Sequence, residues 1–158
     1  MLIKTGIGQD SHAFEKIPGK ALILAGIQFS DSLGLKGNSD ADVVLHSITN
    51  AISSVTGNNI LGSIADELVQ KGEVDSSLFL KLAIDDLQGW NISHIAISIE
   101  CLNPRISPKI ELMKKKISDF CNIKVSDVGI TATSGEGLTA FGRGEGIQST
   151  TIITITKS

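Results

Sequence analysis

The segment from His94 to Cys101 constrains the fold most, because its side chains alternate strictly between two characters. Isoleucine stands at every second position from 95 to 99 and cysteine follows at 101, while His, Ala, Ser and Glu occupy the positions between them. A strand sends successive side chains to opposite faces, so this segment is predicted to be a strand with unlike faces. Residues 125–133 and 149–157 are rich in β-branched residues, and residues 1–8 and 20–29 are also strand-like. The chain is therefore predicted to fold around a sheet.

Three other segments repeat their apolar residues with the period of a helix. The first is predicted to run from about Ala41 to Val55, after Ser39, whose spacing to Asp42 is that of a capping box. The second covers Ser77–Gln88, with leucines on one stripe and a glycine after it. The third follows a cap at Ser107 and continues to Phe120.

Helices and strands in this order predict an α/β (α+β) fold, with a mixed β-sheet and helices covering one face. The other face carries Ile and Thr and has no helix left to cover it, so it is predicted to pack against another subunit. A chain of 158 residues without repeats or a Pro/Gly/Ser-rich linker fits a single domain, residues 1–158.

Charge and apolar patterning exclude some classes of function. The net charge of −3 gives no electrostatic reason to expect a nucleic acid or an anionic membrane as partner. No apolar run reaches the roughly 18 residues of a membrane span, and the N-terminus does not have the pattern of a signal peptide. Cys101 and Cys121 lie in apolar patterns that indicate buried thiols. We therefore expect a soluble protein of the reducing cytoplasm.

Asp10 and His12 are candidate metal ligands, because side chains two apart on an extended segment point to the same side. His46, inside the first predicted helix, would supply a third ligand, and Asp42 one turn before it would hold its imidazole in one tautomer. An Asp-His-His set with an open position is typical of a working zinc or similar divalent ion. In the alternative interpretation, Asp10 caps a turn and His46 is a hydrogen-bonded core histidine.

Two glycine-rich stretches near the C-terminus are candidate anion sites. In GRGEG, residues 142–146, alternating glycines would let the backbone approach a ligand while Arg143 offers its donors, although a tight turn with a solvated ion pair fits equally well. In TATSGEG, Thr133, Ser134 and Glu136 could accept a phosphate with its counter-cation. Neither the P-loop pattern nor the dinucleotide-binding pattern is present.

Four motifs together resemble one enzyme family. GQDSHAF, SDADVVLH, NPRISPKI and FGRGEGI occur in this order across the chain. On these motifs the sequence resembles the 2-C-methyl-D-erythritol 2,4-cyclodiphosphate synthase family of the non-mevalonate isoprenoid pathway. The resemblance implies a homotrimer whose sheets pack around a threefold axis, with active sites at the subunit boundaries. It implies conversion of 4-diphosphocytidyl-2-C-methyl-D-erythritol 2-phosphate to the cyclic diphosphate with release of cytidine monophosphate (CMP).

The resemblance also implies roles for individual residues. Zinc would bind Asp10, His12 and His46, and Glu136 would help to hold a magnesium or manganese ion at the substrate diphosphate. Asn38 and Ser134 would be the catalytic residues. The implied substrate-binding residues are Asp10, His12, Asn38, Ser39, Ser63, Ile64, Ala65, Cys101, Leu102, Asn103, Pro104, Arg105, Ile106, Ser107, Thr133, Ser134, Gly135, Glu136, Ala140 and Arg143. Arg143 would lie near the trimer axis, where it could hold an isoprenoid-like diphosphate.

The sequence departs from the family pattern around the sugar-phosphate pocket. Asn38 stands where the family has histidine, Ser63 where it has an aspartate that meets the erythritol hydroxyls, and Asn50 where a helix aspartate is usual. Residues 66–76 replace a loop of the family. These departures favour, as an alternative function, a trimeric protein that binds a metal and a nucleotide or isoprenoid diphosphate with little turnover.

Overall fold

The computed structural model describes residues 1–158 as one four-stranded sheet, a separate two-stranded hairpin and four α-helices. The strands are β1 (Leu2–Ala13), β2 (Leu22–Leu24), β3 (Ile27–Phe29), β4 (Asn91–Glu100), β5 (Val128–Thr133) and β6 (Gly146–Lys157). The helices are α1 (Val43–Thr56), α2 (Ser63–Gln70), α3 (Ser76–Asp85) and α4 (Ile110–Cys121). No helix is both long enough and apolar enough to cross a membrane.

The four-stranded sheet is mixed, as the sequence predicts. Its order is β1-β6-β4-β5, with β6 antiparallel to both of its neighbours and β4 parallel to β5. The alternation predicted for β4 is present, since Ile95, Ile97 and Ile99 are buried while His94 and Ser98 are exposed. The alternate side chains of β4 and β6 therefore form one side of the core, which comprises 30 buried residues.

The opposite face of the sheet carries no helix and presents an apolar row to solvent. Ile152 on β6 pairs in register with Ile7 on β1 and with Ala96 on β4. The two isoleucines are 45% and 61% exposed, respectively. This is the face that the sequence predicts to contact another subunit.

Helix α2 was not predicted, because residues 66–76 were interpreted as a loop. Residues Ser63–Gln70 instead form a helix, with a turn connecting it to α3. Its signal is weak: the helix has eight residues, only Ala65 is buried, and Gly62 at its N-cap makes no side-chain capping bond. A short segment without a side-chain cap offers little pattern from which to predict a helix.

The capping box predicted from Ser39 is wrong. Helix α1 begins at Val43, and its N-cap is Asp42, whose side chain accepts a hydrogen bond from the backbone N–H of Leu45. Ser39 lies outside the helix, and its hydroxyl accepts from the backbone N–H of Ala41. Asp42 was predicted inside the first turn but is the capping residue itself.

Asp42 also attaches the β2–β3 hairpin to the start of α1. Its carboxylate accepts from the backbone N–H groups of Ala25, at 2.9 Å, and Gly26, at 2.7 Å. Complete burial raises the pKa of Asp42 to about 6, although these backbone donors favour the ionised form. The carboxyl group therefore joins two backbone segments, the hairpin turn and the first turn of α1, through three N–H groups.

Two glycines on β1 allow α1 to lie directly on the strand. A Cβ atom added at Gly8 would stand 2.2 Å from the backbone nitrogen of Ala51 and 2.2 Å from the carbonyl oxygen of Ser47. At Gly6 the added atom would stand 2.4 Å from the carbonyl oxygen of Ala51. This close approach brings residues of α1 next to the side chains that follow Gly8 on β1.

We expect Gly8→Ala to lower the free energy of unfolding by about 3 kcal/mol or more, because the added methyl group meets backbone atoms that cannot rotate away. For a chain of this size that loss corresponds to roughly 6–12 °C in Tm. Thermal and urea unfolding would measure it. Gly129→Ala is the matched control, since its Cβ would come no closer than 3.9 Å to another atom. Equal stability of the two variants would contradict the packing argument.

Candidate metal centre and substrate cleft

Asp10, His12 and His46 converge as the sequence predicts. Asp10 and His12 lie on the same side of β1, and α1 carries His46 to meet them. Asp10 Oδ2 is 3.1 Å from His12 Nε2 and 3.1 Å from His46 Nδ1. One ligand atom from each residue lies within 4.8 Å of the others. The three side chains therefore form a group that could hold one metal ion.

The donor atoms fit a divalent cation. His12 Nε2 is buried, and its one close polar neighbour is Asp10 Oδ2, at 3.1 Å and outside good hydrogen-bond geometry. Two imidazole nitrogens and a carboxylate oxygen are the donor types that zinc binds in catalytic sites. Burial opposes ionisation of Asp10, but the hydrogen bonds and charges of His12 and His46 outweigh it and lower its pKa to about 2. The carboxylate is therefore ionised, as a metal ligand must be.

The predicted contact between Asp42 and His46 is wrong, because Asp42 is occupied by backbone N–H groups. His46 Nε2 instead lies 2.7 Å from the hydroxyl oxygen of Ser76, the first residue of α3. Ser76 in turn contacts the carboxylate of Asp40. The sequence pattern predicts neither contact, since the spacing of 30 residues between His46 and Ser76 does not indicate that α3 begins beside α1.

A cleft of about 300 Å³ opens beside the three ligand atoms. Its lining residues are Asp10, His12, Asn38, Ser39, His46, Asn50, Leu61, Gly62, Ala65, Asp66, Val69 and Phe79. Asn38, Ser39 and Ala65 are thus placed where the sequence predicts. Ser63 and Ile64 do not line the cleft, whereas Asp66, one turn further along α2, does. The Asn38 amide lies 3.5 Å from an Asp66 carboxylate oxygen.

A second cavity, of about 180 Å³, gathers most of the predicted substrate-binding residues of the segment 101–107. It is lined by Cys101, Leu102, Pro104, Arg105, Ile106, Ser107, Ala132, Thr133 and Ser134. Asn103 instead lines a neighbouring cavity with Phe14 and Gly144. No residue lines both this cavity and the cleft of the metal group, so one chain carries the two as separate sites.

The glycine-rich loop between β5 and β6 folds back on itself. A Cβ atom at Gly135 would stand 2.7 Å from Gly142 Cα, so the two backbone segments touch. Arg143 Nε lies 3.3 Å from Glu145 Oε2, and both side chains are more than half exposed. Glu136 is exposed and lines neither cavity, and neither Gly135 nor Ala140 does. Within one chain, the loop is a turn with a solvated ion pair and Glu136 stands apart from the metal group.

Cys101 and Cys121 are buried free thiols, as the sequence predicts. Burial, with a contribution from the charge of Glu100, raises the pKa of Cys101 to about 11, and burial alone raises that of Cys121 to about 12. The thiolate is the reactive form, so both should be nearly inert at neutral pH. We expect alkylation of the folded protein to proceed at least about 100-fold more slowly than after denaturation. Mass spectrometry of iodoacetamide-treated samples would test this, and rapid labelling of native Cys101 would contradict it.

Comparison with known proteins places the chain among close relatives. The model of the YgbB family matches residues 3–156. A curated 2-C-methyl-D-erythritol 2,4-cyclodiphosphate synthase from Chlamydia felis (strain Fe/C-56) is 49% identical over 155 residues, covering 96% of this chain and 88% of that protein. The synthase of the same name from Chlamydia caviae is 48% identical over 157 residues, covering 98% and 89%.

Solved structures share the fold. The bifunctional IspDF from Campylobacter jejuni superposes with a TM-score of 0.90 at 29% identity. The match covers 99% of this chain and 43% of that chain, so this chain spans less than half of the bifunctional protein. IspF from Plasmodium falciparum, solved as a CDP complex, gives a TM-score of 0.84 at 24% identity and covers 99% and 97% of the two chains. At that identity the likeness shows the fold alone.

Proposed function

Because the chain belongs to the YgbB family, we propose that it converts 4-diphosphocytidyl-2-C-methyl-D-erythritol 2-phosphate to 2-C-methyl-D-erythritol 2,4-cyclodiphosphate with release of CMP, a step of isoprenoid precursor synthesis. The observation that carries the proposal is the convergence of Asp10, His12 and His46 at the wall of a polar cleft. Relatives that are 49% and 48% identical over nearly the whole chain carry the name of this activity.

The reaction is an attack within one substrate molecule. An oxygen of the 2-phosphate forms a bond to the β-phosphorus, the bond from that phosphorus to the bridging oxygen breaks, and the bridging oxygen leaves with CMP. The reacting groups are both anionic, and unit charges about 4 Å apart repel by roughly 4 kcal/mol at an effective dielectric near 20. Divalent ions, when bound, neutralise phosphate oxygens and align the nucleophile with the leaving group.

The chain's own residues bind and orient the substrate in this proposal. Asp10, His12 and His46 would hold zinc, and Glu136 would help to hold magnesium or manganese at the diphosphate. Asn38 donates a hydrogen bond to a phosphate oxygen, which is supported by its position in the lining of the cleft. Ser134 would donate from the second cavity, where residues 101, 102, 104–107 and Thr133 would surround the cytidine.

In this proposal, Asp66 takes the role of the carboxylate that the family pattern has at position 63. Asp66 lines the cleft although Ser63 does not, and its carboxylate is exposed to the space beside Asn38. Carboxylate oxygens accept hydrogen bonds from sugar hydroxyls. We assign contact with the erythritol hydroxyls to Asp66, one helical turn from the position that the family pattern indicates.

We propose further that the 158-residue domain works as a homotrimer whose helix-free sheet faces pack around a threefold axis. The exposed pairing of Ile7 with Ile152 supports this arrangement, because apolar side chains in register offer a continuous surface for burial. The separation of the two cavities within one chain supports a site completed by a neighbouring subunit. Two free cysteines favour a cytoplasmic location.

The test is an incubation of purified protein with the substrate, zinc and magnesium, followed by chromatography for CMP and the cyclic diphosphate. We expect both products in equal amounts, and none after removal of divalent ions by a chelator. Asn38 stands where the family has a histidine, which can carry a charge. This difference favours an alternative function, a binding protein with little turnover. Binding of cytidine diphosphate without release of CMP would establish that alternative and overturn the proposed activity.

A further inference from the structure

We propose that Asp40 and Ser76 are positioning residues that hold His46 with its proton on Nε2, so that the lone pair of Nδ1 faces the metal position. The inference deepens the proposed function and rests on it for the role of the metal. It starts from three contacts of Ser76, one with His46 on α1 and two with Asp40 in the segment before α1. His46 Nε2 lies 2.7 Å from Ser76 Oγ, the Ser76 hydroxyl donates to Asp40 Oδ1, and the Ser76 backbone N–H donates to Asp40 Oδ2 at 3.0 Å.

The direction of each hydrogen bond follows from the number of protons. An ionised carboxylate has only acceptor oxygens, so the single hydroxyl proton of Ser76 is given to Asp40. Ser76 Oγ then has only lone pairs to offer to His46 Nε2, and the nitrogen must be the donor. Without a metal, His46 Nδ1 can donate to Asp10 Oδ2, but once a cation binds Asp10 the neutral imidazole keeps its single N–H on Nε2 and its lone pair on Nδ1. Nδ1 is the ring atom that lies 3.1 Å from Asp10 Oδ2, among the other ligand atoms.

Burial makes this arrangement rigid. Ser76 is 0% exposed and His46 is 7% exposed, so water does not readily replace either partner. Asp40 is itself fixed, since its backbone N–H donates to the carbonyl of Val74 at 2.9 Å and its Oδ1 accepts from the N–H of Asp42 at 3.1 Å. The Asp40 backbone thus contacts the segment before α3, and its carboxylate contacts Ser76 at the start of that helix. Partners behind a metal-binding histidine set its tautomer and ring orientation.

The tautomer can be read directly by ¹⁵N NMR of the imidazole nitrogens in the zinc-loaded protein, where Asp10 is occupied by the cation. The chain has three histidines, so the signals are few and His46→Gln would identify the one in question. We expect the proton of His46 on Nε2 in the wild-type protein. A proton predominantly on Nδ1 would overturn the inference, and this measurement requires neither a positioning variant nor substrate turnover.

Zinc affinity provides the second readout. Competition with a chromophoric chelator is expected to show a 10- to 100-fold weaker zinc complex for Ser76→Ala, the loss typical of partners behind a metal ligand. Ser77→Ala is the matched control. Ser77 is the next residue on α3, it is more exposed to solvent than Ser76, and its side chain makes no hydrogen bond to the metal group. Asp40→Asn should also weaken the complex, since an amide can donate to Ser76 Oγ and free the hydroxyl proton for His46 Nε2.

The outcomes separate this inference from the proposed function. If folded Ser76→Ala, verified by circular dichroism, binds zinc as tightly as the wild type, Ser76 is not a positioning residue. That result would not contradict the proposed enzyme activity. Absence of CMP release by a wild-type protein that shows the expected tautomer and zinc affinity would overturn the proposed activity alone. If Ser76→Ala fails to fold, the wild-type tautomer and the Asp40→Asn titration decide the question.

Discussion

Replacing Asp10 with asparagine is expected to remove zinc binding and to reduce CMP release by more than about 100-fold. Losing a partner behind a metal ligand already costs up to about 100-fold, and Asp10 is a ligand itself. Its Oδ2 atom is the shared neighbour of both histidine nitrogens, at 3.1 Å from each. Asparagine keeps the shape of the side chain but loses its negative charge, so two imidazoles alone face the cation.

Metal content after dialysis, measured by mass spectrometry, and the CMP assay would check this expectation together. The matched control is Asp85→Asn, the same substitution at a carboxylate that is 56% exposed and pairs only with Lys81. An exposed ion pair contributes little to stability, so the control should retain both zinc and activity. Equal zinc in the Asp10 variant and the control would mean that the three side chains serve the fold and not a metal.

The second large effect is expected at the helix-free sheet face, where Ile152→Lys should convert the proposed trimer to monomers. Ile152 lies between Ile7 and Ala96 in one row of the sheet. A charge placed in an apolar interface loses its hydration without gaining a partner, which costs several kcal/mol per ion, and a trimer carries three copies. Because the two cavities of one chain are separate, monomers should also lose CMP release by more than about 100-fold.

Light scattering after size-exclusion chromatography would give the mass of each species, and the CMP assay its activity. Leu78→Lys is the matched control, since Leu78 is 36% exposed on α3, a helix that packs on α1. The control should remain trimeric and active. A wild-type monomer, or a trimeric and fully active Ile152→Lys protein, would contradict the proposed assembly.

Within a single helix or strand, the sequence pattern predicts which residues are buried. The alternating isoleucines of β4 predict which residues are buried, and all three are buried in the structure. The periods of α1, α3 and α4 predict the three long helices to within a few residues at each end. Helix α2 was missed because it buries one residue and lacks a side-chain cap.

Sequence patterns do not predict the contacts between different helices and strands. The sequence brings Asp10 next to His12, since both lie on one strand, but it assigned the wrong partner to His46. Asp42 is one turn before His46 and was the natural local candidate, yet its carboxylate holds the β2–β3 hairpin. The actual partner, Ser76, reaches His46 from another helix.

The sequence by itself determined the mixed sheet with its two unlike faces, because periodicity records which side of an element a residue occupies. Its four motifs indicated the family and the three residues of the metal group. The tertiary structure alone decided that Gly8 lets α1 approach β1, that Asp66 and not Ser63 lines the cleft, and that Asp40 and Ser76 stand behind His46. The physical reason is that these contacts depend on the distance between packed elements. That distance is set by steric exclusion across the whole core, and no local spacing encodes it.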